Sequence, residues 1–282
     1  MHLRDPSLQG AQRDELQHFS EWILAVGDGT VHAERRGDER EPSWVTIPDD
    51  LLIHTEGDKI AALVSEVYPD LLRRYRDPSY LSSRAIVCPN NQRCDTISKT
   101  SEQIPDFDIV YPVEFLNSIE ANNFPTHKLV LKRGTIVMLL RNLNQSIGLC
   151  NGTRLLVTEP GQRLLQCMML TGTHIGETVF IPRTALNTTD VKWPFTLQRR
   201  QFPVHVCYAM TINKSQGQTL SRVGLYLKKL VFTHGQLYVA ISRATSRSGL
   251  RILIENDDGT CGSQTRNVMY REVLATTDAA AA

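Results

Sequence analysis

Apolar and polar positions change their period several times along this chain. Leu16, Phe19, Trp22, Ile23 and Val26 recur at helical spacing, and Gly27-Asp28-Gly29 closes the run. The charged stretch from Thr30 to Pro42 predicts a loop, and Trp44 to Pro48 a short extended piece. Ile60, Leu63, Val64 and Val67 predict a second packed helix, ended by Pro69-Asp70, with Arg73, Arg74 and Arg76 solvated beyond it. Ala85-Ile86-Val87-Cys88 is a continuous apolar run closed by Pro89. Asn90-Asn91-Gln92-Arg93 and a helix from about Cys94 follow it. An apolar strand, a polar turn and a helix make a βα unit, whose turn often touches ligand.

The middle of the chain has a different texture. Four short strand patterns recur, at Thr135–Leu140, Thr153–Thr158, Leu164–Leu170 and Glu177–Pro182. Turn dipeptides Asn151-Gly152 and Pro160-Gly161 punctuate them. Short strands at this spacing predict a small barrel.

The last third is the most informative. Phe202 to Met210 alternates as a strand, with Val204, Val206 and Tyr208 on one face and His205, Cys207 and Ala209 on the other. A polar turn from Thr211 ends at Gly217, a residue suited to a helix C-terminus because it tolerates positive φ. A second apolar strand runs to Leu227. Thr233 is then a candidate N-cap for a helix from His234 to Ala244, with Arg243 in its last turn and Leu250–Ile254 as another short strand. A short polar helix between strands places hydroxyls, amides and Lys214 at the end of a sheet, where open α/β sheets bind ligands.

Thr211-Ile212-Asn213-Lys214-Ser215-Gln216-Gly217-Gln218-Thr219 resembles motif V of superfamily 1 helicases, and Tyr238-Val239-Ala240-Ile241-Ser242-Arg243 resembles motif VI. With His234-Gly235-Gln236-Leu237 between them, they resemble the Pif1-like DNA helicases of superfamily 1B, including those of Helitron-type transposons. Tyr111–Asn117, Leu129–Asn142 and Gly148–Arg154 resemble the 2B region of the same family. The resemblance implies an α/β fold, a RecA-like domain (2A) with an inserted small SH3-like β-barrel (2B). The expected division is 1–112 and 206–282 for 2A and 113–205 for 2B. The run Ile104-Pro105-Asp106 looks shortened against the family.

Composition narrows the partners only slightly. The chain has 282 residues, 41% hydrophobic, with a net charge of +1, so no global polycation announces nucleic acid. Basic pairs are local: Lys132-Arg133, Arg199-Arg200 and Lys228-Lys229, each with a solvated surface as the plain alternative. Six cysteines carry no C-x-x-C and read as reduced thiols in an intracellular protein, without a zinc site. No signal peptide or membrane-length apolar run is present. The resemblance adds a nuclear location, with mitochondria as the alternative.

Phosphoryl transfer needs a phosphate cradle, a carboxylate for the metal, and positive charge near the γ-phosphate. No Gly-Lys dipeptide occurs, so this chain has no Walker A loop, and Asp14-Glu15 lacks the hydrophobic strand a Walker B pair requires. ATP and Mg2+ are therefore expected to be held mainly by an N-terminal RecA-like domain outside this sequence. By resemblance, Arg243 is the arginine finger that reaches that ATP; the plain alternative is a helix C-terminal Arg favoured by the dipole. Gln216, Gly217 and Lys214 match positions that approach the nucleotide. Thr211, Asn213 and Ser215, with Asn90 and Asn91, are candidate contacts to single-stranded DNA. Capping of a short helix is the alternative for Thr211 and Ser215, and a left-handed turn that for the asparagines. The implied function is the C-terminal part of an ATP-dependent 5′-to-3′ DNA helicase. Roles in repair, recombination and telomere maintenance come only with the family. The alternative is a catalytically inactive DNA-binding remnant of a transposon-derived helicase.

Overall fold

The computed structural model describes residues 10–37, 42–89, 124–187, 197–228 and 233–269. The chain divides into two compact units: Met1–Asp70 with Ser83–Asp95 and Ala209–Ala282, and Leu71–Ser82 with Thr96–Tyr208.

The first unit is built on a five-stranded sheet. Its order is Ala209–Thr211, Arg84–Cys88, Arg222–Leu227, Leu250–Glu255 and Cys261–Gly262. The first four strands are parallel and the last is antiparallel. Parallel neighbours need a crossover, and the short helix Gln236–Ile241 lies in the one between Arg222–Leu227 and Leu250–Glu255. Ala85 to Cys88 and Val223 to Leu227 are buried throughout, as strands of a covered parallel sheet are. The helix Lys59–Val67 packs against this sheet through Leu63 and Val67, and Asp58 caps it by accepting from the Ile60 and Ala61 amides. Gly224 is the close-approach point: a Cβ there would stand 2.3 Å from Val67 Cγ2. The first helix, Ala11–Gly27, buries Phe19, Ile23 and Val26, as the spacing predicts, and packs on Gln236–Ile241. There Gly27 lies under the Tyr238 ring.

The polar stretch Glu255–Arg266 holds two short strands. Cys261–Gly262 turns back on Ile254-Glu255, and Gln264–Arg266 joins Trp44–Thr46 and Ala33–Glu34 in a small antiparallel sheet. A strand of two or three residues needs only its backbone to pair, so polar side chains hid both from a hydrophobic pattern.

In the second unit, the four patterns of the middle region appear as Ile136–Leu139, Arg154–Pro160, Leu164–Met169 and Thr178–Pro182, in one antiparallel meander. A fifth strand, Val204–Val206, pairs with Ile136–Leu139 at the other edge. The hairpin Thr184–Asn187 with Gln198–Gln201 completes the described strands here. Val137, Leu155, Val157, Leu165, Cys167, Met169, Ile181, Phe202 and Val204 form the core. Gly161 permits the turn between the second and third strands, since a Cβ would fall 2.4 Å from the Leu164 carbonyl oxygen.

The predicted single strand from Phe202 to Met210 is therefore two. Val204–Val206 belongs to the antiparallel sheet, the Cys207 amide still donates to the Ile136 carbonyl, and Ala209–Thr211 pairs with Arg84–Cys88. The two-residue period breaks where the backbone changes partners. Val204, Cys207, Ala209 and Met210 are buried, whereas Val206 and Tyr208 are half-buried.

Of the local basic pairs, Arg199 is buried and Lys228 half-buried, whereas Arg73, Arg74 and Arg76 are exposed as expected. Arg199 is buried against the Phe124 ring and donates to the Pro125 carbonyl at 2.7 Å. Lys228 pairs with Glu255 at 2.6 Å, and Arg74 bonds Asp77 while covering the Tyr80 ring. Long cationic side chains lay apolar stems and planar heads on aromatic surface that a residue count does not reveal. The described cysteines are free thiols, and no group of potential metal ligands occurs among the described residues. No described helix is long and apolar enough to cross a membrane.

Candidate functional site

Two short helices of the first unit meet at the parallel sheet. The strand Ala209–Thr211 hands directly to the helical turn Ile212–Ser215. Thr211 Oγ1 accepts from the Lys214 amide at 3.4 Å, and Ser215 Oγ donates to the Ile212 carbonyl at 2.7 Å. Ser215 is fully buried, so its hydroxyl braces the turn from inside. Ile212 is buried beneath it, while Asn213, Gln216, Gly217 and Thr219 are exposed and Thr211, Lys214 and Gln218 are half-buried. Gly217 has φ +79°, a left-handed conformation that lets the chain leave the turn at Gln216. Asn90 and Asn91 lie outside the described residues.

The helix carrying Tyr238 is shorter than its pattern suggests. It spans Gln236–Ile241, and its N-cap is Gly235 at φ +67° with no side-chain cap, not Thr233. The Gly235 amide is held by the Val268 carbonyl, which turns the chain one residue before the helix. At the other end, the amides of Arg243 and Ala244 donate to Ala240 and Ile241, three residues back. The last turn tightens in this way, and Arg243 falls just past the helix rather than within it.

Arg243 joins the two helices. Its Nε–H donates to the Val239 carbonyl at 2.9 Å, one terminal nitrogen to the Gln218 carbonyl at 3.2 Å, and the other to Ser242 Oγ at 2.9 Å. Backbone pairing reinforces the junction: the Leu220 amide donates to the Arg243 carbonyl, and the Thr245 amide to the Leu220 carbonyl. Burial depresses the guanidinium pKa below its ordinary value, yet arginine stays charged far above neutral pH. No carboxylate among the described residues pairs with it. A half-buried cation compensated only by carbonyls and a hydroxyl retains attraction for an anion.

Arg247, four residues on, is compensated. Its Nε and a terminal nitrogen each reach an Asp50 carboxylate oxygen at 2.7 Å. This bidentate contact lowers the Asp50 pKa and raises that of Arg247. Asp50 sits in the 3-10 turn Asp49–Leu51, which leads to Leu52 beside Ile252 of the parallel sheet. Sequence reading passed over Asp50, 197 residues from its partner, because nothing local marks it. Ser242 and the Gln218 carbonyl were also passed over, although both lie inside the quoted motifs. A backbone acceptor carries no sequence signal at all.

A separate cavity of about 840 Å³ opens at the ends of Arg222–Leu227 and Leu250–Glu255, beside Trp44, Lys228 and Gln264. No predicted site residue among those described lines it. Among its charged lining residues, Lys228 pairs with Glu255, and Arg36 meets Gln264 and the Trp44 ring.

Comparison with known proteins adds the following. Residues 114–159 match the family model described as DNA helicase Pif1, 2B domain. Human ATP-dependent DNA helicase PIF1 is 39% identical over 143 residues, which is 50% of this chain and 21% of the human protein. The chain thus spans about a fifth of the length of that relative. Among solved structures, Pif1 helicase from Candida albicans aligns with TM-score 0.49 at 25% identity, covering 79% of this chain and 56% of that one. Pif1 from Bacteroides, solved in complex with ADP-AlF3 and ssDNA, aligns with TM-score 0.46 at 22% identity, covering 98% of this chain and 64% of that one.

Proposed function

We propose that this chain belongs to the Pif1-like helicases, a reading supported by the 2B-domain match and the similarity to human PIF1, and that it supplies the second RecA-like domain, with an inserted SH3-like 2B barrel, to ATP-driven unwinding of DNA. In this reading Arg243 is the arginine finger. The observation that carries it is the placement of Arg243: a half-buried guanidinium with no carboxylate partner among the described residues, bonded to the carbonyl that directly follows Gly217. A nucleotide triphosphate with Mg2+ supplies the phosphoryl group to be transferred. This chain's part is to present positive charge to it. Arg243 has five N–H donors and spends three within its own unit, so a phosphate finds donors still open. Without a Gly-Lys loop this chain does not cradle that nucleotide; a first RecA-like domain would hold ATP and Mg2+.

Gln216, Gly217 and Lys214 would face the nucleotide from the turn, with Gly217 allowing close backbone approach. Thr211 and exposed Asn213 would grip phosphates of single-stranded DNA without reading sequence, together with Asn90 and Asn91. Ser215 would act from beneath by holding the turn. Because Arg243 bonds the Gln218 carbonyl, a shift of the turn on DNA would be felt at the finger. The family name of the relatives, ATP-dependent DNA helicase, supports both partners.

The test is DNA-stimulated ATP hydrolysis by the chain alone and mixed with a separately made first RecA-like domain. Activity only in the mixture, reduced by about 10³-fold or more in Arg243→Ala, is the expected result. Hydrolysis by the chain alone, or full activity of the Arg243→Ala mixture, would refute the reading. A mixture that binds single-stranded DNA without hydrolysing ATP would favour a DNA-binding remnant.

A further inference from the structure

Arg243 is held by three contacts, one of which comes from a side chain, the Ser242 hydroxyl. Ser242 Oγ donates to the Val239 carbonyl at 3.1 Å and accepts from an Arg243 terminal nitrogen at 2.9 Å. The Val239 carbonyl also accepts the Arg243 Nε–H at 2.9 Å. Carbonyl, hydroxyl and guanidinium therefore form a ring of three bonds at the open end of the helix Gln236–Ile241, where carbonyls lack helical partners. Outside the ring, the other terminal nitrogen reaches the Gln218 carbonyl at 3.2 Å.

Count the donors. A guanidinium has one N–H on Nε and two on each terminal nitrogen. The three contacts use one donor on each nitrogen and leave one on each terminal nitrogen. One open donor on each terminal nitrogen leaves the group able to meet two oxygens of a phosphate. The contacts also fix the plane of the group, because three bonds in different directions leave no free rotation about the side-chain torsions. A hydroxyl is needed at position 242 because the site asks one atom both to donate and to accept. Alanine does neither, whereas threonine does both.

We infer that Ser242 is a positioning residue for Arg243, setting the plane of the guanidinium so that its two open donors meet the nucleotide together. The inference depends on the reading of Arg243 as the residue that meets a phosphate. Ser242 itself touches no nucleotide; it acts through Arg243. Losing it frees the guanidinium to rotate while leaving its charge in place, so turnover falls more than nucleotide affinity does.

The experiment has two arms, with Ser242→Ala and Ser242→Thr compared in each. In the first, proton–nitrogen NMR of the full chain without ligand follows the Arg243 side-chain N–H groups. Rotation about the terminal C–N bonds is expected to quicken in Ser242→Ala and to stay as in the wild type in Ser242→Thr. Unchanged Arg243 signals in Ser242→Ala would overturn the inference. In the second arm, the chain is mixed with a first RecA-like domain and DNA-stimulated ATP hydrolysis is measured. Ser242→Ala is expected to lower kcat by about tenfold with little change in KM for ATP, and Ser242→Thr to restore it. An equal kcat in Ser242→Ala, or a loss confined to KM, would overturn it. Full activity in Arg243→Ala would instead sink the finger reading, while the NMR arm would still decide whether Ser242 orients Arg243.

Discussion

Substituting Gly224 by alanine probes the packing that holds the candidate site in place. Gly224 lies mid-strand in Arg222–Leu227, just downstream of Leu220, whose amide pairs with the Arg243 carbonyl. An added Cβ would stand 2.3 Å from Val67 Cγ2 and 2.8 Å from Leu63 Cδ1. The closer contact is roughly 1.5 Å short of ordinary carbon–carbon separation. Val67 cannot swing aside cheaply, because a β-branched residue in a helix has essentially one χ1 rotamer. The helix Lys59–Val67 must therefore shift bodily. Overpacking of this kind costs about 1–3 kcal/mol, offset by roughly 0.5–1 kcal/mol because alanine is less flexible than glycine in the unfolded chain. The expected net loss is about 1–2 kcal/mol. Val67→Ala alone removes two buried methyl groups and costs about 2 kcal/mol through transfer and cavity terms. It also removes the clashing methyl, so the double variant should lose at least about 1 kcal/mol less than the two singles together. Urea unfolding at constant m, followed by circular dichroism and by fluorescence, where Trp22 and Trp44 report on this unit, measures all four proteins. Additivity within about 0.5 kcal/mol would refute the close approach on which the argument depends.

Other outcomes follow from single side chains. Asp50→Asn breaks the bidentate contact with Arg247. Because Asp50 is more than half exposed, the loss should be no more than about 1 kcal/mol near neutral pH. The Asp50 pKa is lowered by folding, so its contribution is complete above the unfolded value near 3.9 and is lost as pH falls below it. The difference in melting temperature between wild type and Asp50→Asn should accordingly shrink below about pH 4, and a constant difference down to pH 2 would contradict the ion pair. Burial pushes the Cys167 thiol up to about 12. A disulfide reagent at pH 8, with peptide mapping, should label half-buried Cys150 and Cys261 well before Cys167, which reacts only on unfolding. Labelling of native Cys167 at the same rate would show that its core opens readily.

Much of the site was written in local pattern. The run Ala85–Cys88 announced a buried strand, and the polar turn from Thr211 to Gly217 announced a helix end, because both depend on neighbours in sequence. The four strand signals of the middle region emerged as four strands for the same reason: a two-residue period and turn dipeptides are local properties. Motif spelling singled out Arg243 before any geometry was known. What the pattern could not carry was partnership. Val204 and Ala209 read as one strand, and only the choice of backbone partner, Leu139 for one and Ile86 for the other, divided them. Gly235 displaced Thr233 as the helix cap because the Val268 carbonyl, far along the chain, held its amide. Whether Arg199 is solvated was open in the sequence, and the Phe124 ring and the Pro125 carbonyl beside it decide the matter. Asp50 meets Arg247, and Gln218 meets Arg243, through contacts between segments that only the folded chain brings together. Sequence fixes what each short segment prefers; the tertiary structure decides which donor meets which acceptor, since that depends on distances set by every other segment at once.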